Sequence, residues 1–490
     1  MANGMRRTAL TAAWVVGHAG GQHRLFRNGT VVVEGEKVLH VGDDFDGDVS
    51  ETIDFGEAMI GPGFIDLDAL ADLDTTVLGY DNHPPELKGR VWPESYMQAG
   101  PREMYSPEEL ALQKRYAFSR LIRNGITTAL PIASLFYRAW GETAEEFDAA
   151  ADAAADLGLR VYLGPAYRSG NLVVNAERQI GFHYDEARGF QGLADAEAFI
   201  TRHENTHGGL IRTMLAPDRI ETCTPDLLAR SGAAARAHNV PIRLHCCQSR
   251  LEYDLVLQQH GKSPLELLRD TAFFAPATIL PHGLFLSGVN GITHDAPDHD
   301  ILCQSGAALV HCPLVMARGG KVMQSFPRFR DLGVTIGMGT DTHPADMIQN
   351  MAIGVMTARI AEGNATCVSA ADFYNAATLG GAEALNRPDL GRLVPGAAAD
   401  LNVIRLDNPD IGQRIDPIQT LLLNVSGRDV SDVMIAGRFV MRDGIIPGVD
   451  EGEYHRRAQA QFDGMVAQYP DRTLFHPPVE EIFPTSYPLS

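Results

Sequence analysis

Short apolar runs alternate with helix-like segments through the middle of the chain, and this alternation constrains the fold more than any other feature. Parallel strands joined by helices produce such a pattern, because each strand needs a crossover before its parallel neighbour. The segment Ser106-Pro107-Glu108-Glu109 is typical of a helix start, with Ser as N-cap and Pro in the first turn. Eight runs have the length of buried strands, at residues 59–65, 126–130, 160–163, 209–215, 241–245, 278–280, 307–310 and 335–338.

Eight strands alternating with helices predict an α/β fold, a (β/α)8 barrel of the TIM type. The alternative is a doubly wound open sheet, which would carry a glycine-rich phosphate loop after one of its strands. The chain contains neither GxGxxG nor GxxxxGK followed by Ser or Thr, so the barrel is favoured.

Both ends of the chain differ from this pattern. Residues 30–33, 37–41, 400–406 and 433–441 look like short strands separated by turns. Since chain termini often lie close together, we predict a small β-sandwich domain built from both chain ends. The predicted divisions are residues 1–60 and 389–450 for the β-sandwich, 61–388 for the barrel, and 451–490 for a C-terminal helix and tail.

Charge and cysteine usage limit the classes of binding partner and the compartment expected for the protein. The formal net charge is -21, with 62 acidic and 41 basic residues, which disfavours nucleic acid and anionic membrane surfaces. No apolar stretch approaches the ~20 residues of a membrane span, so we expect a soluble protein. The six cysteines form no CxxC pair, which is typical of a reducing compartment and predicts a cytoplasmic location.

Imidazole and carboxylate side chains follow four consecutive predicted strands. His245, His282 and His311 each come at the end of an apolar run, and Asp341 follows the last run. In a barrel the carboxyl ends of all strands lie on one rim, so these groups are expected to converge. A single histidine after a strand is more often structural, whereas four such groups indicate a metal site. Imidazole and carboxylate are ligands of zinc, iron, cobalt and manganese, so we predict one divalent transition metal.

A set of recognisable motifs lies at or near the ends of the predicted strands. Together they resemble those of the amidohydrolase superfamily, in particular its branch of cytosine deaminase and chlorotriazine hydrolase relatives. The resemblance implies a TIM-type barrel, a metal centre at the strand ends and a hydrolytic activity. The motifs are Pro62-Gly63-Phe64-Ile65-Asp66, Asn124-Gly125-Ile126-Thr127-Thr128, His245, His282, His311-Cys312-Pro313, Gly339-Thr340-Asp341 and the segment 391–401.

The first departure from that family follows the first strand, where the family carries His-x-His as two metal ligands. Here Asp68 stands in the first place and Leu70 in the second. A leucine side chain cannot bind a metal. Three interpretations stay open: the metal moves toward the other strand-end groups, Asp68 contributes an oxygen ligand, or the site holds no metal.

The second departure follows the fifth strand. Deaminases of this branch place a glutamate three residues beyond the histidine, whereas this chain has Gln248, which cannot transfer a proton at neutral pH. Glu252 lies four residues further along. An atypical group of the superfamily, which includes phenylurea hydrolase and molinate hydrolase, also lacks the first-strand pair and cleaves exocyclic amide, urea or thiocarbamate bonds. The chain looks most like that group.

The expected function is therefore hydrolysis of an amide, urea, carbamate or thiocarbamate bond of a small molecule by metal-activated water. The first alternative is a deaminase or chlorohydrolase of a triazine, pyrimidine or purine. The second alternative is a metal-free homologue that binds a ligand without catalysis. We also expect a homo-oligomer.

Roles are assigned to residues on this basis. The expected metal ligands are His245, His282 and Asp341, with His311 as a candidate for a fourth ligand. Asp341 is expected to move the proton, His311 or His282 to bond the developing oxyanion, and Gln248 to orient water or substrate. The expected substrate-binding residues are Asp68, Tyr80, Trp92, Tyr137, Tyr167, Arg168 and His343.

Overall fold

Strands and helices alternate along the chain in the computed structural model, which describes residues 6–79, 91–100, 102–133 and 140–489. The strands are β1 Arg7–Ala19, β2 Gln22–Glu34, β3 Lys37–Gly42, β4 Glu51–Asp54, β5 Ala58–Pro62, β6 Phe64–Leu70, β7 Val91–Pro93, β8 Ile126–Ile132, β9 Arg160–Leu163, β10 Ala166–Tyr167, β11 Gly170–Val174, β12 Ile180–Tyr184, β13 Ile211–Thr213, β14 Ala216–Pro217, β15 Ile242–Arg243, β16 Thr278–Pro281, β17 Ala308–His311, β18 Ile336–Met338, β19 Leu401–Arg405, β20 Val430–Ile435 and β21 Arg438–Met441. The helices are α1 Glu94–Ala99, α2 Pro107–Arg123, α3 Ala144–Leu157, α4 Glu186–His203, α5 Pro225–His238, α6 Arg250–His260, α7 Pro264–Asp270, α8 Asp298–Ser305, α9 Pro313–Arg318, α10 Phe326–Asp331, α11 Met347–Glu362, α12 Ala370–Asn375, α13 Gly381–Ala384, α14 Pro417–Asn424, α15 Glu451–Gln468 and α16 Val479–Ile482.

Two four-stranded parallel sheets contain strands from all eight predicted runs. Their orders are β13-β9-β8-β6 and β15-β16-β17-β18, and every neighbouring pair within them is parallel. Helices lie between successive strands along the chain, as crossover connections require. The prediction of an α/β fold with parallel strands is therefore confirmed.

Backbone hydrogen bonds join the two parallel sheets at both of their edges. Leu215 N donates to Pro241 O, and Arg243 N donates to Leu215 O, both at 2.9 Å. At the other edge, Asp341 N donates to Asp68 O at 2.8 Å. The ends of β6 and β18 are thus held side by side, although they come from opposite ends of this part of the chain.

The first predicted run, 59–65, divides into two strands at Gly63. β5 belongs to the sheet of the chain ends, and β6 belongs to the parallel sheet. A Cβ at residue 63 would lie only 2.1 Å from Thr127 Oγ1, so only glycine fits this close approach. One apolar run thus contributes strands to two different sheets, and the division between them cannot be seen from hydrophobicity alone.

Strands from both chain ends share one eight-stranded sheet. Its order is β21-β20-β19-β5-β1-β2-β3, with β4 paired to β1. The long β1 pairs with β4 along its first half and with β5 along its second. A buried ion pair links this sheet to β9, since Arg160 donates to both carboxylate oxygens of Asp400, at 2.8 and 3.1 Å.

A small three-stranded sheet has the order β12-β11-β7. Trp92 lies in β7 and is buried. The C-terminal segment packs against this sheet, because Leu474 joins Val91, Leu172 and Val174 in one apolar cluster. Within the described residues, no helix combines the length and the apolar character needed to cross a membrane.

The predicted helix start at Ser106 is confirmed. The Ser106 side chain accepts a hydrogen bond from Glu109 N, and the Glu109 carboxylate accepts one from Ser106 N. This capping box satisfies two backbone donors at the start of α2, which runs between β6 and β8 along the chain.

Candidate metal centre

Three buried side chains converge at the carboxyl ends of the parallel strands. Asp68, His245 and His282 each offer a ligand atom, and these atoms all lie within 4.8 Å of one another. Asp68 Oδ1 is 3.6 Å from His245 Nε2, and Asp68 Oδ2 is 4.0 Å from His282 Nε2. The two imidazole rings lie 5.5 Å apart, at 31° to each other. The predicted convergence of strand-end groups is therefore observed for these residues.

Asp341 forms the outer side of this cluster. Its Oδ2 lies 3.9 Å from His282 Nε2, and its side chain is 16% exposed, whereas those of Asp68 and His282 are fully buried. The backbone of Asp341 is left-handed, with φ at 45°, which aspartate tolerates better than most residues. Asp341 is thus the cluster carboxylate most accessible to a small molecule.

A backbone hydrogen bond fixes the orientation of His245. Its Nδ1 lies 2.9 Å from the carbonyl oxygen of Asp218, and a carbonyl only accepts, so Nδ1 carries the proton. Nε2 is then unprotonated and faces Asp68, as a metal ligand requires. Burial, followed by the charge of Arg219, lowers the pKa of His245 well below its usual value. The imidazole is therefore neutral at physiological pH.

Asp66 holds the first and last strands of the parallel sheets together. Its carboxylate accepts from Thr340 N at 3.0 Å, from Thr340 Oγ1 at 2.6 Å and from Asp68 N at 3.1 Å. Burial raises the pKa of Asp66 to about 6. The three hydrogen bonds place the backbone of Asp68 beside the segment that carries Asp341.

A register irregularity helps to aim Asp68. Asp66 pairs with Ala129 while Ala69 pairs with Pro131, so three steps along β6 correspond to two along β8. Such a bulge re-aims the side chains that follow it. It accounts for Leu67 lying in an apolar cluster of strand residues while the adjacent Asp68 faces the two histidines.

The donor set fits a single divalent transition metal. Ligand atoms of a tetrahedral zinc site lie about 2.0–2.2 Å from the ion and hence ~3.4 Å from one another. The spacings of 3.6 to 4.0 Å in the cluster are slightly wider than this. Two imidazoles and two carboxylates also match the chemistry of such a site. Leu70, in the second place of the family's His-x-His, offers no ligand atom.

His311 does not join the cluster, which corrects the prediction that it is a metal ligand and an oxyanion donor. Its ring lies against Phe326 and Phe373, at centroid distances of 5.9 and 6.1 Å. Successive side chains of a strand point to opposite faces, and the residue that directly follows β17 faces inward instead. That residue is Cys312, whose thiol lies 3.6 Å from Asp68 Oδ2.

Gln248 lies in the loop after β15, where the strand-five motif predicts it, and is held by two hydrogen bonds. Its Oε1 accepts from Arg219 Nη1, and its backbone N donates to Glu252 Oε2 at 3.0 Å. The Glu252 carboxylate also accepts from Cys247 N, so it serves the backbone of this loop. Burial, followed by the charge of Glu221, raises the pKa of Glu252 to about 8.

Two of the predicted substrate-binding residues line one small pocket. Trp92 and Arg168 face it together with Asn171, Arg219 and Glu221. The guanidinium of Arg168 donates to Asp218 Oδ2 at 3.0 Å, and both side chains are buried. Arg472, from the C-terminal segment, stacks on the Trp92 ring at 3.6 Å.

Other predicted binding residues lie elsewhere. The hydroxyl of Tyr167 donates to Ser231 Oγ at 2.9 Å within the buried layer between strands and helices, so Tyr167 is structural. His343 follows the last parallel strand, where its backbone N donates to Asp74 Oδ2 at 2.7 Å and its ring lies 5.8 Å from that of Tyr116. The buried position of Tyr167 corrects the prediction that it contacts substrate, whereas a substrate contact of His343 stays a prediction. Tyr80 and Tyr137 lie outside the described residues.

Sequence reasoning missed Arg243, Asp218 and Cys312. Arg243 stands two residues before His245 on the same strand face, and Cys312 follows Val310 and Ala308 with the same period of two. Strand alternation is therefore a signal that could have found both. Asp218 acts through its backbone carbonyl, so its residue type carried no such signal.

Parallel strands that hold imidazoles and carboxylates at their carboxyl ends are the arrangement expected of a metal-centred α/β hydrolase. Residues 61–440 match the model of the amidohydrolase family, and the chain belongs to this family. The predicted membership, and with it the prediction of a hydrolytic enzyme, is confirmed.

Relatives of known name match over almost the whole chain. A 5-methylthioadenosine/S-adenosylhomocysteine deaminase of Natronomonas pharaonis is 27% identical, over 90% of this chain and 95% of the relative. Among solved structures, an adenosine deaminase from Xanthomonas campestris with bound zinc has a TM-score of 0.74 at 19% identity, covering 94% and 98%. The atrazine chlorohydrolase of Arthrobacter aurescens, complexed with zinc, has a TM-score of 0.75 at 21% identity, covering 93% and 99%. At these identities the two structures show a shared fold.

Proposed function

We propose that the chain is a metal-dependent hydrolase that displaces an exocyclic group, in the first instance an amine, from a small nitrogen heterocycle. The observation that carries this proposal is the buried cluster of Asp68, His245 and His282 with Asp341 at its outer side. The deaminase named among the relatives supports a heterocyclic substrate over the amide, urea or carbamate bond that the sequence pattern favours.

The proposal includes the finer architecture. The two parallel sheets are taken to close into one eight-stranded barrel within residues 61–388, supported by the hydrogen bonds at both of their edges. Residues 1–60 and 389–450 form the β-domain of both chain ends, supported by their common sheet. Residues 451–490 add the C-terminal helix and tail.

His245, His282, Asp68 and Asp341 would hold the metal ion. When bound, the cation supplies a water molecule activated for attack near neutral pH. His245 and His282 would contribute imidazole nitrogen donors, and Asp68 and Asp341 would contribute carboxylate oxygen donors. Asp68 takes the place that a histidine has in the family pattern.

Asp341 would accept the proton of the attacking water and return it to the leaving amine. It is the most exposed member of the cluster, and its carboxylate lies 3.9 Å from His282 Nε2. A carboxylate in that position can exchange a proton with water and with a substrate nitrogen in turn. The Gln248 amide cannot transfer a proton. Held by Arg219, it would instead orient the heterocycle by hydrogen bonding.

A second candidate is hydrolysis of an amide, urea, carbamate or thiocarbamate bond. Gln248 favours it, because a heterocycle deaminase needs a proton donor near the ring nitrogen and this loop has none in that place. The Glu252 carboxylate faces the backbone N–H groups of Cys247 and Gln248, so it does not replace that donor.

The first test is metal analysis of the purified protein and of two variants, Asp341→Ala and His245→Ala. We expect close to one transition metal per chain in the wild type and loss of metal in both variants. His343→Ala is the matched control, because His343 lies after the same strand as Asp341 but outside the cluster. A wild-type chain that takes up no metal on reconstitution would refute the hydrolase and favour a ligand-binding homologue.

The second test separates the substrates. Adenine nucleosides such as 5-methylthioadenosine, aminotriazines and chlorotriazines are compared with phenylureas and carbamates, and released ammonia, chloride and organic amine are measured separately. We expect ammonia from an aminated heterocycle. If only ureas or carbamates react, with release of an organic amine, the second candidate function replaces the first. A homo-oligomer and a cytoplasmic location remain predictions of this proposal.

A further inference from the structure

The carboxylate of Asp68 faces two different environments inside the cluster. Its Oδ2 lies on the side of His282 and the thiol of Cys312. Its Oδ1 lies 3.6 Å from His245 Nε2 and 3.8 Å from Arg243 Nη1. A fixed positive charge thus stands directly beside a candidate metal ligand.

Arg243 is held in this place from the opposite side. Its Nη1 donates to the carbonyl oxygen of Leu130 at 2.7 Å, and its Nη2 donates to that of Pro131 at 3.5 Å. Both carbonyls lie near the end of β8, across from β15, which carries Arg243. The side chain is 2% exposed, so the guanidinium spans the interior between two strands and ends at Asp68.

The surroundings require a counter-charge for each partner. Taking a guanidinium or a carboxylate out of water costs several kcal/mol per ion unless an opposite charge lies near. The carbonyls of Leu130 and Pro131 satisfy N–H groups but carry no net charge. Asp68 supplies that opposite charge for Arg243, with its Oδ1 3.8 Å from Arg243 Nη1. The two buried charges therefore compensate each other.

We propose that Arg243 is a positioning residue that balances the charge of Asp68 and holds this carboxylate as a metal ligand. An Asp68–Arg243 pair carries no net charge, as a neutral imidazole in the same place would. The replacement of a ligand histidine by aspartate is thus matched by an arginine that reaches the same point from another strand. This inference rests on the proposed metal site and assigns the electrostatic partner of its unusual ligand.

The test exchanges charge at both positions. Asp68→His leaves Arg243 uncompensated beside the metal, and we expect metal affinity to fall about 10- to 100-fold, as for loss of an outer partner. Asp68→His/Arg243→Met removes the stray charge and is expected to regain most of that loss. Affinity is measured by competition for zinc with a chromophoric chelator.

The stability of the metal-free protein toward urea is a second measurement. It uses the isosteric Asp68→Asn, because a histidine at residue 68 has little room beside Gly339. Asp68→Asn and Arg243→Met are each expected to lower the urea midpoint, because each leaves one buried charge alone. The double variant Asp68→Asn/Arg243→Met is expected to unfold at a higher urea concentration than either single variant. This measurement is independent of metal.

Arg160 and Asp400 are the matched control pair, since both are buried and ion-paired but link β9 to the sheet of the chain ends. Arg160→Met and Asp400→Asn are expected to couple in stability and to leave metal affinity unchanged. A double variant Asp68→His/Arg243→Met that binds zinc no better than Asp68→His would overturn the positioning role alone. A wild-type chain that binds no zinc would overturn this role together with the proposed function, and stability coupling would then mark a purely structural ion pair.

Discussion

The imidazole of His245 and the backbone carbonyl of Asp218 form a hydrogen bond of 2.9 Å, while the Asp218 carboxylate accepts from Arg168 at 3.0 Å. One residue therefore orients a candidate metal ligand with its backbone and neutralises a buried arginine with its side chain. Asp218 thus contacts both a member of the candidate metal centre and Arg168, which lines the adjacent pocket. A substitution of His245 should therefore change metal affinity, whereas a substitution of Arg168 should change the stability of the fold.

Replacement of His245 tests the ligand assignment. We expect His245→Gln to reduce metal affinity at least tenfold, because an amide is a poorer donor than a neutral imidazole. His343→Gln is the control, since the ring of His343 lies beside Tyr116. Zinc titration of both variants measures the difference. Equal loss of affinity in the two variants would contradict the assignment.

Replacement of Arg168 tests whether this residue is structural or contacts the substrate. We expect Arg168→Met to lower the free energy of unfolding by up to about 3–5 kcal/mol, because it removes the shorter of the two buried ion pairs that Asp218 makes among the described residues and leaves the one with Arg219, at 4.0 Å. Arg202→Met removes an exposed arginine that pairs with Asp148, and it should cost about 0–1 kcal/mol. Urea unfolding measures both. A stable Arg168→Met protein with a raised KM would assign the residue to substrate binding instead.

Replacement of His311 by an aromatic ring tests its position outside the centre. His311→Phe is expected to keep the metal content of the wild type, because the ring packs against the stacked pair of Phe326 and Phe373. Phenylalanine fills a similar volume there without a polar atom to bury. Metal analysis compares this variant with His282→Phe, which should lose the metal. Metal loss in His311→Phe would restore His311 to the ligand set.

The same variant carries a pH prediction. Burial lowers the pKa of His311 to about 3 in the folded protein, against 6.5 as its ordinary value. Between these values the unfolded chain binds a proton that the native protein excludes, so stability is present above pH 6.5 and is lost as the pH falls toward 3. One such group contributes a slope of up to about 1.4 kcal/mol per pH unit. The metal-free His311→Phe variant should show a shallower fall in stability over this window, and an unchanged slope would refute the buried neutral histidine.

Removal of the Tyr167 hydroxyl tests a residue that was expected to bind substrate. Tyr167→Phe loses the hydrogen bond to Ser231, whose own hydroxyl still donates to Leu227 O at 2.7 Å. The expected cost is about 0.5–1.5 kcal/mol of stability, with KM unchanged. Thermal unfolding and steady-state kinetics of the active enzyme check the two parts. A change in KM without loss of stability would contradict the structural role.

Much of this protein follows from its sequence alone. The apolar runs and the cap at Ser106 predict the parallel strands and α2, because period, length and capping chemistry are local properties. The convergence of His245, His282 and Asp341 also follows, since residues after parallel strands share one edge of the sheet. The motifs at the strand ends were sufficient to predict the family.

Tertiary structure decided which way each side chain faces. Strand parity turned His311 outward and Cys312 inward, and a bulge in β6 aimed Asp68 at the histidines. Alternation along the sequence puts His311 and Cys312 on opposite faces, but it does not decide which face points inward, because a shift of one residue in register inverts the two faces of a strand. The bulge in β6 likewise depends on how β6 pairs with β8. The meeting of Arg243 with Asp68 is also tertiary, since it joins residues far apart in sequence through the packing of three strands.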